Sequence, residues 1–204
     1  MPSLSREERE HIRELVNLVR LKISRGDKAG ARIHVIAGLS IDKFDKDLNV
    51  LLASLYESDG EYAKAELIYK DLIILHENDP EVYLRLGNTL YAQEKYEVAY
   101  EVYRRLLLLD ESNFEALEMF AMTAYRLEKY EDVVAAARRY TKKFPASLDM
   151  LHLLADASLR LGERADALVT LKKIQNLEPY NTDVKSLIER VRIELDMESN
   201  FNRE

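Results

Sequence analysis

Three observations predict an all-α solenoid of stacked two-helix units: a repeat of 34 residues, helical apolar spacing inside each repeat, and few backbone breakers. Six glycines and four prolines in 204 residues fall well below an average usage of about 12%. That leaves little room for the tight turns of sandwiches or barrels. At 47% apolar and 33% charged residues, the chain can bury a core that an unstructured sequence could not supply.

The period emerges when the chain is shifted against itself. Counting from Lys46, Pro80, Phe114 and Leu148, the seventh position reads Leu52, Leu86, Phe120 and Leu154, and the eighth Ala53, Gly87, Ala121 and Ala155. The twentieth reads Ala65, Ala99, Val133 and Ala167, and the twenty-fourth Tyr69, Tyr103, Ala137 and Leu171. Small residues therefore recur twice per repeat, where paired helices must approach closely. Extending the frame back to Ile12 places Leu18, Val19, Gly26 and Ala31 at matching positions, which adds a fifth unit. The boundaries expected are 12–45, 46–79, 80–113, 114–147 and 148–181, within a single domain spanning 1–204.

The first element is one long helix from Ser5 to Arg25, opened by the capping-box spacing of Ser5 and Glu8. Within a unit, Tyr83, Leu86, Gly87 and Leu90 mark one helix, and Val98, Ala99, Val102, Tyr103 and Leu106 the next, with a link around Gln93 to Lys95. Gly26, Gly60 and Gly162 stand at the fifteenth position, where a left-handed residue ends a helix and turns the chain. Glu94 and Glu128 hold that place in the middle units, so those turns need another geometry or carry strain. Asp79-Pro80-Glu81 offers an N-cap followed by Pro at the first helical position, and Ser112 to Glu115 has capping-box spacing. The segment from Thr182 to Met197 sets Val184, Leu187, Ile188, Val191 and Leu195 on one face, as a helix covering the last unit requires. The tail from Asn200 to Glu204 is expected to fray.

These residues resemble the tetratricopeptide repeat from about Ile12 to Asn181. Leu86-Gly87, Ala99 and Tyr103 carry the likeness in one unit, and Leu154-Ala155, Ala167, Leu171 and Pro179 in another, with Tyr62, Tyr96 and Tyr130 at the seventeenth position. The chain departs from the pattern at Glu77 and Glu111, where the family closes with Pro, and at Lys22 and Lys28, where large apolar residues are usual. The resemblance implies a right-handed superhelix whose concave surface is lined by the first helix of each pair.

Catalytic signatures are missing from the sequence. The glycines form no phosphate-cradling loop. Without cysteines there is no disulfide framework, thiol nucleophile or cysteine-ligated zinc. His11, His34, His76 and His152 share no i,i+4 spacing, so neither a metal site nor a histidine base is expected. No enzyme, cofactor or small-molecule substrate is predicted. A net charge of -7 disfavours nonspecific nucleic-acid binding, which draws on neutralised phosphates. The acidic start and the lack of a long apolar run give no export signal or membrane span. The default expectation is a cytoplasmic protein, with the soluble part of a membrane-anchored or exported parent as the alternative.

The groove positions implied by the resemblance hold Val50, Leu84, Glu118 and His152 at the fifth, Asn88, Met122 and Asp156 at the ninth, and Tyr91, Tyr125 and Leu159 at the twelfth. Apolar members of this stripe point to a partner segment with apolar anchors. The second position adds an acidic row, Asp47, Glu81, Glu115 and Asp149, which favours Lys or Arg beside those anchors. Some family members grip a terminal carboxylate with cations at fixed positions. Here acid stands where cation is required, at Glu115 and Asp149, so that clamp is not expected. A competing surface is the basic ladder of Lys70, Arg104-Arg105, Arg138-Arg139 and Lys172-Lys173, which would suit an anionic partner. The reading favoured is a noncatalytic adaptor that binds a protein segment in its groove. The alternatives are a scaffold that self-assembles through its ends and an anionic partner on the ladder.

Overall fold

The computed structural model describes residues 4–201, and every regular element in that range is an α-helix. The helices are α1 (Arg6–Ser24), α2 (Lys28–Ile41), α3 (Lys46–Ser58), α4 (Tyr62–Leu75), α5 (Pro80–Ala92), α6 (Tyr96–Leu109), α7 (Phe114–Arg126), α8 (Tyr130–Lys143), α9 (Leu148–Arg160), α10 (Arg164–Leu177) and α11 (Thr182–Phe201). From α3 to α10, the helices of successive pairs begin 34 residues apart. The fold is therefore an all-α repeat. Two compact units divide within α6, one reaching Val102 and the other starting at Tyr103.

Each helix pair is turned by the same device. The fifteenth residue is left-handed in all five pairs, with φ of 75° at Gly26 and Gly60, 76° at Gly162, 59° at Glu94 and 56° at Glu128. The two glutamates adopt the glycine geometry rather than a different turn, so strain is the outcome there. In every turn the following residue donates its N–H to a carbonyl five positions back, as Asp27 does to Lys22 at 2.9 Å and Lys129 to Ala124 at 2.9 Å. Those bonds satisfy carbonyls that the helix end would otherwise leave unpaired.

Helix starts follow local chemistry. Ser5 and Glu8 form the reciprocal capping box, at 3.1 Å and 2.7 Å. Asp79 caps α5 ahead of Pro80. At α7 the expected box does not form: Asn113 is the cap, accepting from the Ala116 N–H at 3.0 Å, while Ser112 donates to Asp110. Asn113 stands directly before the first helical residue, so its shorter reach wins. Helix α11 extends beyond Met197 through Phe201, so Asn200 and Phe201 are helical rather than frayed. The remaining tail, 202–204, lies outside the described residues.

In the first unit, α1, α2 and α3 close around Val19, Ala31, Val35 and Leu55, and α1 and α3 around Ile12, Val16 and Leu48. Lys22 and Lys28, the departures from the repeat pattern, point into ion pairs with Asp27 at 2.8 Å and Asp59 at 2.9 Å. In the second unit, Val184, Ile188 and Val191 of α11 cover Leu151, Ala155, Leu171 and Ile174 of α9 and α10. The terminal helix thus buries an apolar face that the last pair would otherwise expose.

Candidate functional site

Of the groove residues in the first unit, Val50 is buried at 7% exposure, which removes it as an anchor. It lies on α3, a helix packed against α1, α2 and α4. Leu84, Asn88 and Tyr91 are half-buried on α5, where spacings of four and three residues put them on one face. Tyr91 makes an edge-to-face contact with Tyr96, ring centres 5.2 Å apart.

The second unit gathers its groove residues into one place. Glu118, Met122 and Tyr125 of α7 meet His152 and Asp156 of α9 around a depression of about 670 Å³. Asp149, Met150 and Leu153 complete the lining. Met122 is 39% exposed, an apolar side chain open to a partner. The Tyr125 hydroxyl donates to Asp156, which also lies 3.5 Å from the Arg160 guanidinium. That bond, with burial adding to it, raises the Tyr125 pKa, so the phenol remains a donor at neutral pH. The Tyr140 hydroxyl donates to Glu118 at 3.2 Å, and burial first, then the Glu118 charge, pushes its pKa up. Tyr140 is itself braced by Phe114 and Phe144. His152 lies 3.8 Å from Glu178. The Glu118 and Asp156 carboxylates therefore each accept from a phenol and keep capacity for a further donor.

Leu159 is set apart from this cluster, packed on the core under α11. Met150 and Leu153 were not among the groove positions read from the sequence. Their signal was their place next to the second and fifth positions of the same helix, which brings them into the lining.

The basic ladder is compensated rather than free at several rungs. Lys70 donates to Glu66 at 2.6 Å. Arg138 pairs with Glu163 at 3.3 Å and Asp166 at 2.6 Å, and Arg139 lies 3.9 Å from Glu111. Arg104 also has a partner. Arg105, Lys172 and Lys173 are exposed. The acids on Arg138 come from the next helix pair and Glu111 from the preceding one, contacts that sequence spacing did not reveal. This spends much of the ladder's charge inside the molecule.

Among the described residues, no cluster of three or more His, Asp or Glu side chains is placed to hold a metal ion. No helix among them is long and apolar enough to cross a membrane.

Comparison with known proteins agrees with this architecture. Residues 58–140 match the family model for anaphase-promoting complex, cyclosome, subunit 3, and residues 118–179 match a tetratricopeptide-repeat model. No curated protein matches the chain by sequence. Among solved structures, YrrB, described as a TPR protein with an unusual peptide-binding site, is 17% identical, covering 86% of this chain and 90% of its own, with a TM-score of 0.73. MamA is 18% identical over 85% of this chain and 95% of its own, TM-score 0.74. PilF of Pseudomonas aeruginosa is 17% identical over 94% and 87%, TM-score 0.70. The chain is a tetratricopeptide-repeat protein. Proteins of this class bind other proteins or peptides, which makes the chain an interaction module in general terms.

Proposed function

We propose that the protein is a noncatalytic adaptor that binds a partner segment through the first helices of its repeats, chiefly at the α7–α9 depression. The observation that carries this reading is the grouping of Glu118, Met122, Tyr125, His152 and Asp156 around one open depression. Met122 and Leu153 offer apolar contact, while Glu118, Asp149 and Asp156 favour cations beside it. The partner chemistry that fits is an apolar anchor flanked by Lys or Arg. Leu84, Asn88 and Tyr91 on α5 supply a further contact face within the first unit. A preset helical scaffold leaves little protein ordering to oppose such binding.

Selection from a random dodecapeptide display library tests this reading. Wild-type protein should enrich sequences that combine an apolar residue with Lys or Arg, and the folded Met122→Glu/Asp149→Lys variant should lose them. Failure to enrich any such sequence, or enrichment by both proteins alike, would sink it.

Self-assembly through the terminal helices is a second reading, favoured by Ile193 at 56% and Met197 at 67% exposure on α11. Sedimentation over a wide concentration range separates it from the first, because only self-assembly raises the mass with concentration.

A further inference from the structure

We propose that the first unit carries a docking site of opposite charge, the depression between α1 and α3, whose ligand is an acidic protein segment held through side-chain carboxylates. The depression measures about 540 Å³ and is lined on its α1 side by Arg9, Arg13, Asn17 and Arg20. At about 100° per residue, the three arginines fall within roughly 40° of one another around the helix axis and span about 16 Å along it. They form a single cationic stripe, as long as about five residues of extended chain.

Two carboxylates border the stripe, and both have other work. Asp45 caps α3, accepting the Leu48 N–H at 2.9 Å. Asp47 lies 3.9 Å from Arg20, a loose and exposed pairing. Arg9 and Arg13 are exposed, and their guanidinium groups have no ion pair or hydrogen bond among the described residues. Two forked donors about one helical turn apart can each take a carboxylate in bidentate fashion. Half-buried Leu4 at the margin adds apolar contact. Charge complementarity therefore selects a segment bearing Asp or Glu about 6 Å apart, with an apolar neighbour. The basic segment proposed for the α7–α9 depression would be repelled here, so each unit asks for a different ligand.

The test uses the whole chain and two fluorescent dodecapeptides with blocked termini, one of repeated Glu-Leu-Glu and one with Lys in place of Glu. Blocking the termini leaves side-chain carboxylates as the only acids offered. The acidic probe should bind wild type, weaken with added salt, and lose roughly tenfold or more in affinity to Arg9→Glu/Arg13→Glu. Both arginines are exposed, and circular dichroism should confirm that the variant folds. The Met122→Glu/Asp149→Lys variant should hold the acidic probe as wild type does, which keeps this site distinct from the α7–α9 reading. No binding of the acidic probe to wild type, equal binding to the arginine variant, or preference of the α1 site for the basic probe would overturn the proposal. A concentration-dependent mass abolished by the arginine variant would assign the depression to a second copy of the chain instead, and would overturn it too.

Discussion

Glu94 and Glu128 occupy a backbone conformation that glycine fills in the other three turns, with φ of 59° and 56°. A side chain there costs about 1 to 2 kcal/mol, and part of any gain from glycine is returned through the freer unfolded chain. Glu94→Gly and Glu128→Gly should therefore each raise stability by about 0.5 to 1 kcal/mol in urea unfolding. Gly60→Ala should lower it by a similar amount, since a Cβ at Gly60 meets nothing within 4 Å and only the backbone resists. Loss of stability in the Glu→Gly variants would show that those glutamate side chains hold the turns by contacts that outweigh the strain. The special position was legible in the sequence because Gly recurs there. What the sequence left open was whether glutamate follows the same path, since that depends on how tightly the two flanking helices dictate the turn.

At the scale of the helix, the positions of closest approach behave as the period implied. Ala31, Ala65, Ala99, Val133 and Ala167 at the twentieth position are all fully buried. Ala99→Leu should cost about 1 to 3 kcal/mol by overpacking, and an unchanged melting temperature would count against that role. Glu66 of α4 was less legible. It is 7% exposed and joins its helix to the turn after α5 through Lys95 at 2.7 Å and Gln93 at 2.9 Å, while Lys70 holds its other oxygen. Burial acts to raise its pKa, but the hydrogen bonds from Lys70, Lys95 and Gln93 win and lower it from 4.5 to about 2. A lowered folded-state pKa stabilises fully above the unfolded value, and the benefit is lost as pH falls from about 5 towards 2. Glu66→Gln should cost up to about 3 kcal/mol at pH 7, and the gap from wild type should close across that acid range. A gap that stays constant with pH would contradict the ion-pair account. Sequence spacing offers only the pairing of Glu66 with Lys70 four residues on, because Gln93 and Lys95 lie 27 and 29 residues away and meet Glu66 only when α4 packs beside α5.

For the whole molecule, the repeat frame carried most of the fold, because each unit repeats the same small residues and the same turn. It carried less of the site. Val50 shares a frame position with half-buried Leu84, yet it is buried, because the frame cannot register how a particular neighbour closes over a groove position. Part of the ladder's charge is compensated for a similar reason, as Arg138 meets Glu163 and Asp166 from the following pair. We also propose that the five repeats fold as one domain, so calorimetry should show a single unfolding transition. Two separated transitions would contradict that. Binding at the α7–α9 depression is checked by the equilibrium affinity of one labelled peptide carrying Leu between two Arg. The measurement compares wild type with Met122→Glu/Asp149→Lys. Wild type should bind the peptide saturably, and the variant should lose roughly tenfold or more in affinity with its helicity unchanged. Equal affinity for both proteins would contradict binding at that depression.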